Sequence, residues 1–213
     1  MYTKPMKYAY LYLPSQMADW EPGLVIAELN TGRFFREKGK RLPVKTFGVT
    51  KEKIVTMGGL TIAPELTIDE IDPTNAALLL LPGGSDWQNP RHTAALKKAA
   101  EFLETGVLVA AICGATEAMA SAGMLDDRPH TSNSLEYLKM AFPKYKGEKY
   151  YQQLPVVVDG NLITANNTAA VEFAYHILDK LDVFSERTLT AWRQRFETHD
   201  PKYILEILNS LPK

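Results

Sequence analysis

The chain's single cysteine, Cys113, stands where a continuous apolar run, Val107 to Ile112 (VLVAAI), gives way to a small-residue segment, Gly114 to Ala122 (GATEAMASA). A run of that kind is typical of a central parallel strand, and the segment after it reads as a helix. A thiol at the first turn of a helix meets the positive end of the macrodipole and several unpaired backbone N–H groups, so this position is expected to make Cys113 more acidic. Ala110, Ala111, Gly114 and Ala115 are small enough to permit the crowded turn that lifts a nucleophile above a sheet edge. Ligands of parallel α/β sheets bind at the carboxyl ends of the strands. Cys113 and the Pro82-Gly83-Gly84 loop, which ends another apolar run, should therefore share one crevice. The amides of Gly84 and Gly114 are candidate donors to an oxyanion formed when a thiolate attacks a carbonyl. A lone cysteine also reads as a small buried hydrophobe, and a Gly pair as a simple turn. It is the two together, at strand ends, that point to chemistry.

The elements that must hold these groups alternate in type. Lys7 to Leu13, Leu42 to Val49, Ala76 to Leu81 and Val107 to Ile112 read as strands. Between them, Glu21 to Glu37, with Leu24, Leu29 and Phe35 inward, and Thr93 to Glu104 read as helices. Ile54 to Ile62 carries a Gly58-Gly59 turn between short runs, as in a hairpin. Val156 to Asp159 and Leu162 to Ala165 flank Gly160-Asn161 as a second hairpin before a helix from Ala169 to Leu181. Ser185 to Leu211 reads as one or two further helices, with Leu189, Trp192, Phe196, Ile204 and Leu208 inward. The pattern predicts an α/β fold with a mostly parallel sheet covered by helices on both faces. Residues 1–213 are read as one domain, in which 185–213 form an appended helical cap.

With 24 Lys and Arg against 25 Asp and Glu in 213 residues, the formal charge is −1, and no strong field favours nucleic acid or an anionic membrane. No stretch approaches the roughly 18 apolar residues of a membrane span. The expected partner is a small, roughly neutral molecule, and the expected location is the cytoplasm. No Gly-rich phosphate cradle and no metal-ligand cluster occurs, so neither a cofactor nor a metal is expected.

The motifs LLLPGG and AAICGAT followed by AGMLDDR resemble those of the ThiJ/PfpI superfamily over roughly residues 7 to 181. The resemblance implies the flavodoxin-like, three-layer α/β/α sandwich shared with class I glutamine amidotransferases. It also implies a homodimer. In that family a glutamate just after the first strand hydrogen-bonds the elbow cysteine. The matching acid is Glu21, with Asp19 as the rival, and a carboxyl there should titrate with sulfur as a coupled pair. Hydrolytic relatives place a histidine downstream of the elbow. Asn133 occupies that position here; His130, three residues earlier, faces the other side of an extended strand, and is a substrate-binding candidate beside Asn133 if the segment bends. Asparagine orients a substrate or water but is no general base near neutral pH. No His-x-Glu occurs, so a glutaminase triad is absent. His92, His176 and His199 are expected on solvated surfaces. Asn166 to Ala170 is expected to cap the following helix through Asn167 or Thr168. The family's chemistry implies a cysteine-dependent hydrolase or hydratase acting on a small carbonyl-like compound, or else a stress-response protein whose thiol is oxidised.

Overall fold

A computed structural model describes residues 7–212. Its sheet has seven strands: β1 (Tyr8–Tyr12), β2 (Val44–Gly48), β5 (Leu66–Thr67), β6 (Ala76–Leu81), β7 (Leu108–Ile112), β8 (Val156–Asp159) and β9 (Leu162–Ala165), in the order β5-β2-β1-β6-β7-β9-β8. All neighbours pair in parallel except β8 with β9, which form the expected antiparallel hairpin at one edge. The central runs LLLL and VAAI are apolar at every position because both faces are covered. The chain order reverses between β1 and β6, so the loops after these strands diverge and leave a crevice at their carboxyl ends.

One face packs α1 (Trp20–Thr31), α5 (Ala170–Lys180) and α6 (Glu186–Thr198) over Leu11, Leu80 and Ile112. The other packs α2 (Thr93–Glu104) and α3 (Gly114–Ser121) over Tyr12, Leu79 and Val109, together with α4 (Leu135–Ala141). The chain ends in α7 (Lys202–Ser210), packed on α6. Small strands β3 (Ile54–Val55) and β4 (Thr61–Ile62) pair antiparallel as the predicted excursion.

Two expectations about the elements change, the end of α1 and the burial of Leu208. α1 stops at Thr31 rather than Glu37, because Gly32 takes the left-handed conformation (φ 61°) and its N–H returns to the Glu28 carbonyl. Phe35 is buried as expected, but from the loop beyond the helix. In residues 185–212, Trp192 is fully buried as expected, and its indole N–H donates to Glu28 Oε1 at 3.1 Å, tying α6 to α1. The same carboxylate takes two hydrogen bonds from Arg33, at 2.9 and 2.5 Å. Of the cap residues expected inward, Leu189 is buried, Phe196 and Ile204 are half-buried, and Leu208 is exposed.

Candidate active site

β7 delivers Cys113 to the carboxyl edge of the sheet, where its own N–H bonds to the Ala165 carbonyl of the next strand at 3.0 Å. The chain then turns abruptly. Cys113 sits at φ 58°, ψ −126°, a conformation costly for a residue with a Cβ (about 1–3 kcal/mol) and maintained here by the surroundings. The Cys113 carbonyl accepts from the Thr116 amide at 2.9 Å and the Thr116 hydroxyl at 2.6 Å, which starts α3. Ser132 in turn bonds the Thr116 hydroxyl at 2.7 Å. A strained elbow thus presents a half-buried sulfur.

Glu21, in the first turn of α1, is fully buried beside that sulfur. Its Oε2 accepts from the Gly83 amide at 2.6 Å. Oε1 has no hydrogen-bond partner of ordinary geometry, and the carboxyl's other polar neighbour is the Cys113 thiol. Burial pushes the Glu21 carboxyl above its usual range, against the opposing pull of Gly83 and Cys113. For Cys113, burial first and the Glu21 charge second push the thiol up to about 12. The acidifying effect expected of the helix terminus is present, as a hydrogen bond from the Gly114 amide, but burial and the neighbouring charge outweigh it. Two buried anions in contact are mutually unfavourable, so the pair retains one proton through the neutral range.

Asp19, the rival acid, is occupied elsewhere. Its Oδ2 accepts from the Gly58 amide at 2.7 Å, and Thr56 also bonds to the carboxylate. Together with the Met57 amide on the Met17 carbonyl (2.9 Å), this clasps the β3–β4 hairpin onto the chain that leads into α1. Asn133 does reach the site: its Nδ2 lies 3.5 Å from the Cys113 sulfur and 2.7 Å from Glu117 Oε1. Its Oδ1 accepts from the Asn167 amide at 2.9 Å. That bond replaces the expected capping by Asn167 or Thr168. Neither side chain caps α5, and Asn166 instead accepts from Thr168 within the loop. The loop therefore borders the crevice.

His130 is removed from the site. It is fully buried, with Nδ1 2.7 Å from the Arg128 carbonyl and Nε2 2.6 Å from the Tyr145 hydroxyl. A carbonyl only accepts, so Nδ1 carries the proton and Nε2 accepts from tyrosine. Burial holds its pKa below that of a free imidazole, so it stays neutral. No strand spans 130–133: His130 makes only an isolated bridge to Tyr151, and its Arg128 and Tyr145 contacts rather than strand parity hold its ring. His92 is not solvated either: it is buried, with its Nδ1 2.6 Å from the Tyr12 hydroxyl and Nε2 3.1 Å from Asp86 Oδ1. His176 is half-buried, and only His199 is exposed.

Two members of the site were missed by sequence reasoning. Gly83 packs directly against the reactive pair: a Cβ on it would lie 2.6 Å from Glu21 Oε2 and 2.9 Å from the Cys113 sulfur. Gly84 runs against Gly114, its carbonyl 2.8 Å and its amide nitrogen 3.5 Å from where a Cβ on Gly114 would stand, so Gly114 must be glycine for this close approach. Glu117, one helical turn after Cys113, is half-buried and pushed up by burial. Its signal was a lone acid among the small residues of GATEAMASA. Among the described residues no group of acids, cysteine and histidines is arranged to hold a metal, and no helix is long and apolar enough to cross a membrane.

Comparison with known proteins agrees with this geometry. The DJ-1/PfpI family profile matches residues 7–180. A Bacillus subtilis protein named uncharacterized protease YoaZ is 46% identical over 202 residues, 95% of this chain and 96% of the relative. The deglycase PfpI of Pyrococcus furiosus is 30% identical over 135 residues, 62% of this chain and 76% of the relative. The crystal structure of a ThiJ/PfpI family protein from Bacillus anthracis superimposes with a TM-score of 0.93 at 48% identity, covering 97% of this chain and 98% of that one. With its switch-point crevice, strained elbow and flavodoxin-like sheet, the chain belongs to the DJ-1/PfpI family.

Proposed function

We propose that the protein is a cysteine-dependent hydrolase-type enzyme acting on a small carbonyl compound. The observation that carries this reading is the strained Cys113 elbow set against a fully buried carboxyl, Glu21. A strained backbone and a buried acid both cost stability, and neither improves packing; they are what a reacting group requires. The protease and deglycase names of relatives fit the same reaction class.

In this reading the proton of the pair moves to Glu21 and leaves a thiolate that accepts from the Gly114 amide and Asn133. Sulfur adds to the carbonyl carbon, the C=O π pair moves to oxygen, and the amides of Gly84 and Gly114 meet the new oxyanion. The oxyanion re-forms the carbonyl and expels an amine or alcohol, which leaves with the proton held by Glu21. Water then cleaves the thioester, delivering its hydroxyl to the acyl carbon and a proton back to the pair. Asn133 orients that water without serving as its base. A homodimer and a small-molecule substrate belong to the same proposal; light scattering that shows only monomer would remove the dimer.

A second reading, oxidation of Cys113 by peroxide, is favoured by one observation: the sulfur's polar neighbours suit an oxidised sulfur without any histidine. Two electrons pass from sulfur to the peroxide O–O bond, giving sulfenic acid and water. The test of both is one experiment. Small esters, amides and α-oxoaldehydes are offered to the wild type and to Cys113→Ala, with mass spectrometry of Cys113. Turnover lost in Cys113→Ala and an adduct on Cys113 are expected; peroxide adducts without turnover would replace the first reading by the second.

A further inference from the structure

The crevice is built from six segments: 15–21, 55–60, 82–89, 113–117, 131–134 and 166–169. They are joined by the Glu21–Gly83, Asp19–Gly58, Asn133–Glu117 and Asn133–Asn167 hydrogen bonds described above. These segments contain Asp19, Glu21, Asp86 and Glu117 and no Lys, Arg or His. Among the described residues, none of the basic groups nearby is bonded to Glu117 or to the Cys113–Glu21 pair, although Lys53 and Lys97 line cavities beside Ser15 and Trp87 of these segments. Arg91 closes on Asp86 and compensates that acid, while Arg128 closes on Asp159 at 2.7 Å and Lys51 on Glu70 at 2.9 Å, both outside the segments. His130 and His92 are buried. Further basic side chains lie at the opposite end of the sheet, where Arg36 pairs with Asp182. Lys7 and Lys180 line a cavity of about 460 Å³ at the amino ends of β6 and β7, and Arg36, Lys40 and Arg41 line another of about 390 Å³ nearby.

We infer that the Cys113 site selects substrates by charge, admitting neutral or cationic carbonyl compounds and rejecting carboxylates and phosphates, with Glu117 as the specificity-determining residue. The inference rests on the proposed use of Cys113 as a nucleophile and adds the substrate class. Glu117 shares the Asn133 amide with sulfur, so an anion at sulfur approaches its carboxyl with no cation to compensate. The Cys113–Glu21 pair adds a further negative charge once its last shared proton is the only one left. In a half-buried site such repulsion is poorly screened by water or salt. A cationic group, such as the amine or guanidinium of a modified side chain or small molecule, meets the reverse field.

The test compares iodoacetamide with iodoacetate, reagents of nearly equal size that differ by one charge. Both form the same S–C bond and release iodide, so the thiolate fraction cancels in their rate ratio. Rates on the native protein at pH 7.5 and low salt are divided by rates on the urea-unfolded protein. Iodoacetate is expected to be slower by at least about tenfold after this correction, less so in Glu117→Gln, with the order reversed in Glu117→Lys. Equal corrected rates, a faster iodoacetate, or no native reaction with either reagent would overturn the inference. Equal rates in a protein that turns over carbonyl substrates remove charge selection alone. Strong discrimination without turnover of any substrate removes the enzyme reading and leaves the selectivity of the thiol.

Discussion

The Gly83 amide donates to Glu21 Oε2 at 2.6 Å in a space that has no room for a side chain. This contact fixes the carboxyl against sulfur from the loop after β6, while α1 supplies the residue and β7 the thiol. Three elements therefore meet at one proton.

Gly83→Ala places a methyl group 2.8 Å from Cys113 Cβ and closer still to Glu21. Either side chain must move. Overpacking of this kind costs about 1–3 kcal/mol, and urea denaturation is expected to show a loss of that size. Loss of the paired alkylation profile of Cys113 should accompany it. A variant that matches the wild type in both would mean that Gly83 is merely a turn residue.

Glu21→Gln removes the charge that helps to raise Cys113 to about 12. The pH at which iodoacetamide labels Cys113 at half its maximal rate is expected to fall by roughly one unit or more. An unchanged value would separate the two groups electrostatically. A half-point that rises would place the resting proton on Glu21, as donor to a thiolate.

Stability should carry the same signature on the alkaline side. A thiol whose folded pKa lies above its ordinary value of 9.0 binds more protons folded than unfolded between pH 9 and about 12. The wild type is expected to lose stability as pH rises through that window, and Cys113→Ala to lose less. His130 acts oppositely on the acid side, because burial lowers its pKa. Its contribution is present above about pH 6.5 and is lost as pH falls. Chemical denaturation as a function of pH, wild type against each variant, checks both signs.

His130→Ala leaves the Tyr145 hydroxyl and the Arg128 carbonyl without their partner. A stability loss of roughly 1–3 kcal/mol is expected, with iodoacetamide labelling of Cys113 at the wild-type rate. A large change in labelling with no loss of stability would return His130 to the site.

Much of the fold was legible because buried strands and amphipathic helices differ in period and length. LLLL before PGG and VLVAAI before Cys113 could be little other than central strands. The elbow, the Glu21 slot and Asn133 followed from motifs local in sequence. The misses have physical causes. Apolar spacing ran on to Phe35, and the stop at Gly32 depends on a left-handed φ that the side-chain pattern does not encode. The extended strand read through His130 and Asn133 is absent, and the sequence pattern gave no sign of α4, which Ser134 caps by accepting from the Tyr137 amide. Gly83 and Gly84 are chemically identical in sequence, and only the register of the loop against Glu21 tells them apart. The reversal of the Cys113 shift arises from burial beside an acid 92 positions earlier, which no local helix-terminus argument contains.

The Trp192 indole on Glu28 gives the molecule a built-in optical reporter. Glu28 lies two turns along α1 from Glu21, so a tilt of that helix which withdraws the acid from sulfur must also disturb the indole's hydrogen bond. Tryptophan emission, compared with that of Trp192→Phe to isolate its share, should register such a tilt during substrate entry without any label near the thiol. Trp192→Phe removes both the indole's bond to a carboxylate, about 1.5–3 kcal/mol, and fully buried ring volume, so urea stability is expected to fall by more than the bond alone. The helices at the end of the chain would then serve as a gauge of events at its only cysteine.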